Sequence, residues 1–413
     1  IHAAIDWPDR KPGGRGEFYP CSRFGSGIWQ VLRGDWNHFG LKQMLILFIA
    51  VQRVRRDFDL LLLVSQDSNF GAASNQKGNK KHFIPYSQSE KDSWVSKFGS
   101  VTFNQFGQGF PYAGINENGL CIIRVLDESL PQNQDNSLQS LQWVQYYLDR
   151  CSSVKQMIAE GIVPPSFDWF GPTHYFIIDA KNQIAIIEFS NDETNIYSNL
   201  EGTLPYSVLT ETPYLEALSS MQSVSSVEKE NRNALARFQK TALITDEWKK
   251  NSDGSLYLKA FDILLNAASG NTKWNVLFHI SEKKIYFRTF SSDRVKIISL
   301  EDLNFSCEDK VKFWNVDTTD NGDITSTFLL KSDDPKQTWE AMNLFQVNSS
   351  LNNPLTANQM QTITSSPYNY GCDMKSAKTD SQRSQNYALI WLLITGLLAG
   401  SLFMGKGYKR YKE

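Results

Sequence analysis

Residues 174–190, HYFIIDAKNQIAIIEFS, set two apolar runs around a polar turn, and residues 274–290, WNVLFHISEKKIYFRTF, repeat the arrangement. Both patterns predict β-hairpins. Residues 98–120, FGSVTFNQFGQGFPYAGINENGL, alternate apolar and polar positions, pass a Gly/Pro-rich bend and close on Asn118-Gly119. That pair is the usual hairpin signal, because both residues tolerate positive φ. Helical spacing takes over in residues 137–161, where Leu138, Leu141, Val144, Tyr147 and Leu148 share a face. Ser152 or Ser153 then restarts the helix as an N-cap. Residues 233–248 and 255–270 predict two further helices, the second ending on Gly270 as its C-cap. Strand pairs separated by helix pairs predict layered α and β structure, not a bundle or a barrel.

The two ends of the chain read differently. Residues 387–405, YALIWLLITGLLAGSLFMG, carry no charge and are followed by KGYKRYKE. Nineteen residues at 1.5 Å rise reach about 28 Å, close to the ~30 Å hydrocarbon core of a bilayer. A transmembrane helix is expected there, with the basic tail 406–413 in the cytoplasm and the rest of the chain lumenal or extracellular. The sequons at Asn304 and Asn348 are compatible with that side of the membrane. Residues 346–386 are rich in Ser, Asn, Gln and Thr, and predict a polar linker. Residues 1–66 follow no such pattern: the first stretch is rich in Arg, Gly and Pro, and residues 44–64 hold apolar runs broken by Arg53, Arg55 and Arg56. The run 44–51 has the length of a signal-peptide core, but it is internal and has its basic residues on the wrong side.

Composition narrows the function. The chain has 413 residues, enough for a sizeable core, with 42 basic against 44 acidic residues. No summed field recruits nucleic acid. Cys21, Cys121, Cys151, Cys307 and Cys372 lie far apart with no C-x-x-C pair, and the five histidines are single. This spacing argues against zinc, and no metal or organic cofactor is expected. Residues 317–325, DTTDNGDIT, have the opening of a calcium loop, but Phe328 stands where the bidentate Glu belongs. A hairpin over residues 313–328 is the expectation.

The stretches SVTFNQFG, FPYAGINENGL, LQWVQYYLD, SSVKQMI, HYFIIDAKNQIAIIEF, LPYSVLTETPY, ALARFQKTA and TKWNVLFHISEKKIYFRTF occur in an order that resembles the choloylglycine hydrolase family. That family includes penicillin V acylases, bile salt hydrolases and acid-amidase relatives, and the resemblance covers roughly residues 67–345. It implies an α/β fold, a four-layer αββα sandwich of the N-terminal-nucleophile type. It also implies hydrolysis of carbon–nitrogen bonds in linear amides. An N-terminal cysteine attacks the carbonyl with its own α-amine as base, since an amine with a pKa near ~8 is partly uncharged at working pH. A thioester forms, the amine leaves and water completes the cycle. By the same resemblance Asn116 matches an oxyanion-hole donor and Arg237 an active-site arginine. On its residue type alone, Asn116 is also a turn residue.

The chain departs from the family pattern at three places. Glu211, in VLTETP, stands where the family has an asparagine whose amide is the second oxyanion donor, and an ionised carboxylate cannot donate. The best match to the family's opening, CSRFGSGIWQVLRGDW, gives Cys21 as nucleophile with Arg33 and Asp35 positioning it, at a shortened spacing. A competing alignment puts Asp67 of QDSNFGAASNQ in the aspartate's place. The nucleophile strand then falls in DFDLLLLVSQ, which has neither cysteine nor arginine, and residues 1–66 read as a faulty translation joined to a sound domain. The expected organisation is thus 1–66 atypical, 67–345 hydrolase-like, 346–386 linker, 387–405 transmembrane and 406–413 cytoplasmic. The expected function is a membrane-tethered amidase whose partners are an N-acyl amide substrate and the bilayer. The alternative is an inactive lumenal domain that keeps the fold and binds a ligand.

Overall fold

A computed structural model describes residues 47–52, 59–65, 71–83, 93–104, 109–126, 140–165, 173–190, 193–223, 234–250, 256–267, 274–289, 292–330, 356–365 and 371–372. All of them fall in the unit formed by residues 43–413, so Cys21, Arg33 and Asp35 lie outside the described residues.

In chain order the strands are β1 (Leu47–Gln52), β2 (Asp59–Ser65), β3 (Gly71–Asn75), β4 (Asn79–His82), β5 (Ser93–Val95), β6 (Ser100–Asn104), β7 (Pro111–Asn116), β8 (Cys121–Leu126), β9 (Thr173–Ile178), β10 (Ile184–Ser190), β11 (Glu193–Ser198), β12 (Val208–Leu209), β13 (Trp274–His279), β14 (Lys284–Thr289), β15 (Lys296–Ser299), β16 (Lys312–Asn315), β17 (Gly322–Asp323), β18 (Leu329–Leu330) and β19 (Gly371–Cys372). The helices are α1 (Ser140–Arg150), α2 (Val154–Ala159), α3 (Tyr214–Ser220), α4 (Ala234–Lys250), α5 (Leu256–Ala267) and α6 (Ala357–Ser365). One sheet runs β12-β1-β2-β13-β14-β15-β17 and a larger one β11-β10-β9-β8-β7-β6-β3-β16-β18, with β19-β4-β5 as a small third sheet.

Period-two alternation explains the layering. In β8, Cys121, Ile123 and Val125 face the other large sheet, while Ile122 turns to the opposite side and packs with α1. In β9 and β10 the same alternation sends Phe176, Ile178, Ile184 and Ile186 inward and Tyr175, Ile177, Ala185 and Ile187 toward the helices. Both faces of these strands are apolar because both are covered. Between the sheets Phe103 of β6 stacks on Trp274 of β13, centroids 5.5 Å apart, and meets Phe278 and Phe287 edge-on. Helices α4 and α5 cover the smaller large sheet, where Phe238, Ala242, Phe261 and Leu264 are buried and continuous with the main apolar cluster. Helices α1 and α2 cover the other. The order is helix, sheet, sheet, helix.

The expected hairpins form at β9–β10 and β13–β14, with Ile184 opposite Ile178 and His279 opposite Lys284. The expected restart after α1 is also present: the Ser153 side chain accepts from Gln156 N and caps α2. The hairpin signalled by Asn118-Gly119 also forms, β7 pairing with β8 from Ala113 opposite Ile123 to Ile115 opposite Cys121, and of the two turn residues only Gly119 takes positive φ, +82°. Three expectations need correction. Residues 313–328 do not form a tight hairpin: β16 pairs antiparallel with β18, Phe313 opposite Leu329, but the connection between them carries β17 into the other sheet, parallel to β15.

The boundary at residue 67 moves forward, because β1 and β2 form a full antiparallel pair inside the first sheet, from Leu47 opposite Val64 to Gln52 opposite Asp59. Finally, part of the polar linker is packed. Met360, Ile363 and Thr364 bury one face of α6, and Cys372 forms a disulfide with Cys307, with Cα atoms 5.5 Å apart. Residues 387–405 lie outside the described residues, and among those described no helix is long and apolar enough to cross a membrane.

Candidate active site

Strand β12 pairs with β1, Leu209 opposite Phe48, and the chain then turns through Glu211 and Pro213 into α3. Glu211 therefore lies at the end of the sheet where β1 begins. Arg237, in the first turn of α4, reaches the same place, and its Nη2 donates to Glu211 Oε2 at 2.6 Å. The pair is enclosed, with the Arg237 side chain 5% and the Glu211 side chain 13% exposed. Two residues chosen from separate stretches of sequence are thus brought into one contact. A guanidinium offers its N–H groups in a fixed plane. Here it meets a carboxylate instead of the amide that the resemblance leads one to expect.

The turn that carries Glu211 is held from behind. Glu188 of β10 accepts from Tyr214 N at 2.7 Å through Oε1, supplying the cap that Pro213 cannot give to α3. The same oxygen lies 3.0 Å from Nδ1 of His174, directly across the β9–β10 pair. Tyr214 Oη donates to Tyr206 O at 2.9 Å, and Tyr206 and Tyr214 both pack edge-on against Phe238, the neighbour of Arg237. Burial raises the Tyr214 hydroxyl to about 12, and burial together with Glu188 raises that of Tyr197 to about 12, so both stay protonated. Sequence reasoning passed over His174 and Glu188. Their signal was there: a histidine and a glutamate on the inward face of otherwise apolar strands.

Asn116 is placed elsewhere and is already committed. It is fully buried, and its Nδ2 donates to Leu148 O at 2.9 Å and to Cys151 O at 2.8 Å. Its Oδ1 accepts from Asn118 N and Leu120 N at 3.1 and 3.0 Å. Both amide hydrogens are spent on the C-terminal end of α1, so this side chain ties helix to turn and has no hydrogen left for a substrate oxygen. The oxyanion-donor expectation is corrected accordingly.

The cysteines sort by environment. Cys121 is fully buried in β8, and burial pushes its thiol well up. Cys151 follows α1, and burial reinforced by Glu160 raises it to about 12. Neither is poised as a thiolate. Cys307 and Cys372 are joined to each other. Strands β1 and β2, the pair leading up to Asp67, contain no cysteine.

Two facing sheets clad by helices on their outer sides are the architecture of the N-terminal-nucleophile hydrolases. Comparison with solved structures finds that fold in the penicillin V acylase of Agrobacterium tumefaciens, at a TM-score of 0.57 and 17% identity over 69% of this chain and 98% of the other. It also finds two variants of the conjugated bile acid hydrolase of Clostridium perfringens. Their TM-scores are 0.56 and 0.53, their identities 14% and 15%, each over 67% of this chain and 98% or 99% of the other. These are the proteins to which the order of sequence motifs pointed. No protein-family profile and no curated protein sequence matches the chain.

Proposed function

We propose that this protein hydrolyses carbon–nitrogen bonds of linear amides through a cysteine at a processed N-terminus, in a domain held at a membrane by residues 387–405. The observation that carries the reading is the Arg237–Glu211 contact at the end of the first sheet where β1 begins, within a sandwich shared with an acylase and an amide-cleaving bile acid hydrolase. Of five cysteines, two form a disulfide and two are buried with raised pKa, which leaves Cys21 to act as the nucleophile. Its freed α-amine takes the thiol proton, the thiolate attacks the amide carbonyl, and water releases the acid from the thioester. Arg33 and Asp35 orient that cysteine. Arg237, its guanidinium held by Glu211, is the fixed positive charge this domain offers to an anionic group.

The test combines N-terminal sequencing of the protein from its native membrane with amine release from penicillin V and from a conjugated bile acid. A mature chain beginning at Cys21, and loss of hydrolysis in Cys21→Ala, are the expected results. Glu211→Asn, which restores an amide donor, is expected to raise turnover by ~10²-fold, the scale on which single oxyanion donors act. A mature chain with no N-terminal cysteine and no hydrolysis would overturn the enzymatic reading.

A second reading has its own support: the β1–β2 pair before Asp67 lacks a cysteine, and a carboxylate stands in the second donor's place. In that case the domain binds an amide or lipid without turning it over. Saturable binding of an N-acyl amide with unchanged ligand recovered is its signature.

A further inference from the structure

Of the two sequons in the chain, Asn304-Phe305-Ser306 lies among the described residues, in the connection between β15 and β16. This loop is pinned to the domain by its middle residue. Phe305 is 5% exposed, and its ring covers the backbone of Gly99 so closely that a Cβ on that glycine would collide with it. The Phe305 carbonyl accepts from Lys77 N at 2.9 Å, and Ser306 forms a bridge with Lys77. A turn closes on each side, through Leu303 N to Leu300 O at 3.2 Å and Asp309 N to Ser306 O at 3.0 Å. Beside the buried phenylalanine, Asn304 is exposed and Ser306 half-buried. Asn304 Oδ1 accepts from Ser306 N at 3.0 Å, so the tripeptide is folded back on itself at the asparagine. Asn304 Nδ2 makes no hydrogen bond to another described residue, and the amide nitrogen stays available.

We propose that Asn304 is a modification site that carries an N-linked glycan, taken from a polyprenyl-pyrophosphate-linked oligosaccharide. A glycan is bulky and polar, so the folded domain must leave its asparagine at the surface, and it does so here although the next residue is buried. The hydroxyl residue that the acceptor pattern requires is Ser306, already joined to Asn304 through its backbone N–H. The compartment is argued from the residue that follows. Cys307 is bonded to Cys372, and such bonds persist where the surroundings are oxidising, in the secretory lumen and outside the cell, which is also where N-glycans are added. In the transfer, Nδ2 attacks C1 of the first sugar and the C1–O bond to the pyrophosphate breaks. The lipid pyrophosphate leaves with that electron pair, and one amide proton passes to a base of the transferase. The inference requires the domain to lie outside the cytoplasm, as the sequence leads one to expect, and requires no hydrolysis by it.

The experiment uses the full chain purified from its native membrane and, beside it, variants expressed in the same cells. Peptide mapping of the unsubstituted chain after digestion with a peptide N-glycosidase is expected to find Asn304 deamidated by the enzyme, a result that depends on the folding of no variant. In Asn348→Gln, where a single sequon remains, the digestion is expected to lower the apparent mass by one glycan. Adding Asn304→Gln or Ser306→Ala is expected to abolish that shift, and Ser306→Thr, which keeps the hydroxyl, to preserve it. A shift that survives Asn304→Gln places the glycan elsewhere and overturns the assignment. Unmodified Asn304 in chains whose Cys307 and Cys372 are joined overturns the site and leaves the compartment standing. Unmodified Asn304 with both of those thiols free to react overturns the site and the compartment together. The amidase reading is tested separately, by N-terminal sequencing and amine release.

Discussion

His279 shows how one buried side chain sets a pH dependence. It is fully buried at the end of β13, and its Nδ1 accepts from Glu282 N at 3.1 Å, a bond that requires that nitrogen to be unprotonated. Burial lowers its pKa below 6.5, against the opposing pull of Glu282. His82 shifts in the same direction, through burial and Lys80. As pH falls through about 6.5 the unfolded imidazole takes up a proton that the native one refuses, so the folded state loses stability. Urea unfolding between about pH 8 and 5 should show that decline. His279→Asn, whose side-chain oxygen still accepts from Glu282 N, should flatten part of it. An unchanged slope would place the titration elsewhere. The residue scale also shows the limit of reading type alone. Asn116 and Arg237 were both singled out, but only contacts reveal that one is spent on backbone carbonyls and the other faces Glu211.

Elements meet through a few close approaches. Helix α1 lies so near β7 that a Cβ on Gly114 would fall 2.7 Å from Thr102 Cγ2 and 2.8 Å from Leu148 Cδ1. Two residues further on, Asn116 bonds the carbonyls that end the same helix. Asn116→Ala removes four hydrogen bonds, three of them buried, and leaves Leu148 O and Cys151 O short of a partner, a loss of about 3 kcal/mol. Urea denaturation of the variant tests this, and an unchanged midpoint would return Asn116 to the donor role. Helices and hairpins with a clean 3.6 or 2 period were legible, and the Ser153 cap among them. Strands β1 and β2 were not: a short apolar run broken by arginines has no period of its own, and its identity comes from the neighbours β12 and β13 that pair with it. The crossing at residues 313–328 was missed for a related reason. A turn composition says that the chain bends, not which sheet receives it.

At the scale of the molecule the thiols provide a count. Two of five cysteines are bonded and two are buried, so Cys121 and Cys151 should stay unlabelled by a thiol reagent in the native protein and become labelled once it is unfolded without reductant. Native-state labelling of Cys121 or Cys151 would contradict their burial. The disulfide closes a loop across a separation of 65 residues, which by loop entropy is about 4 kcal/mol. Sequence by itself determined the alternation of apolar positions, and with it the sheets, the covering helices and the layered class, because burial on a known period is a local property. It also determined the chemical candidates and the family resemblance. Tertiary structure alone decided which candidates meet, since Glu211 and Arg237 are 26 residues apart in sequence. It alone decided that Cys372 closes on Cys307 and that Asn116 serves the fold, because these depend on which strands pair and where their ends fall.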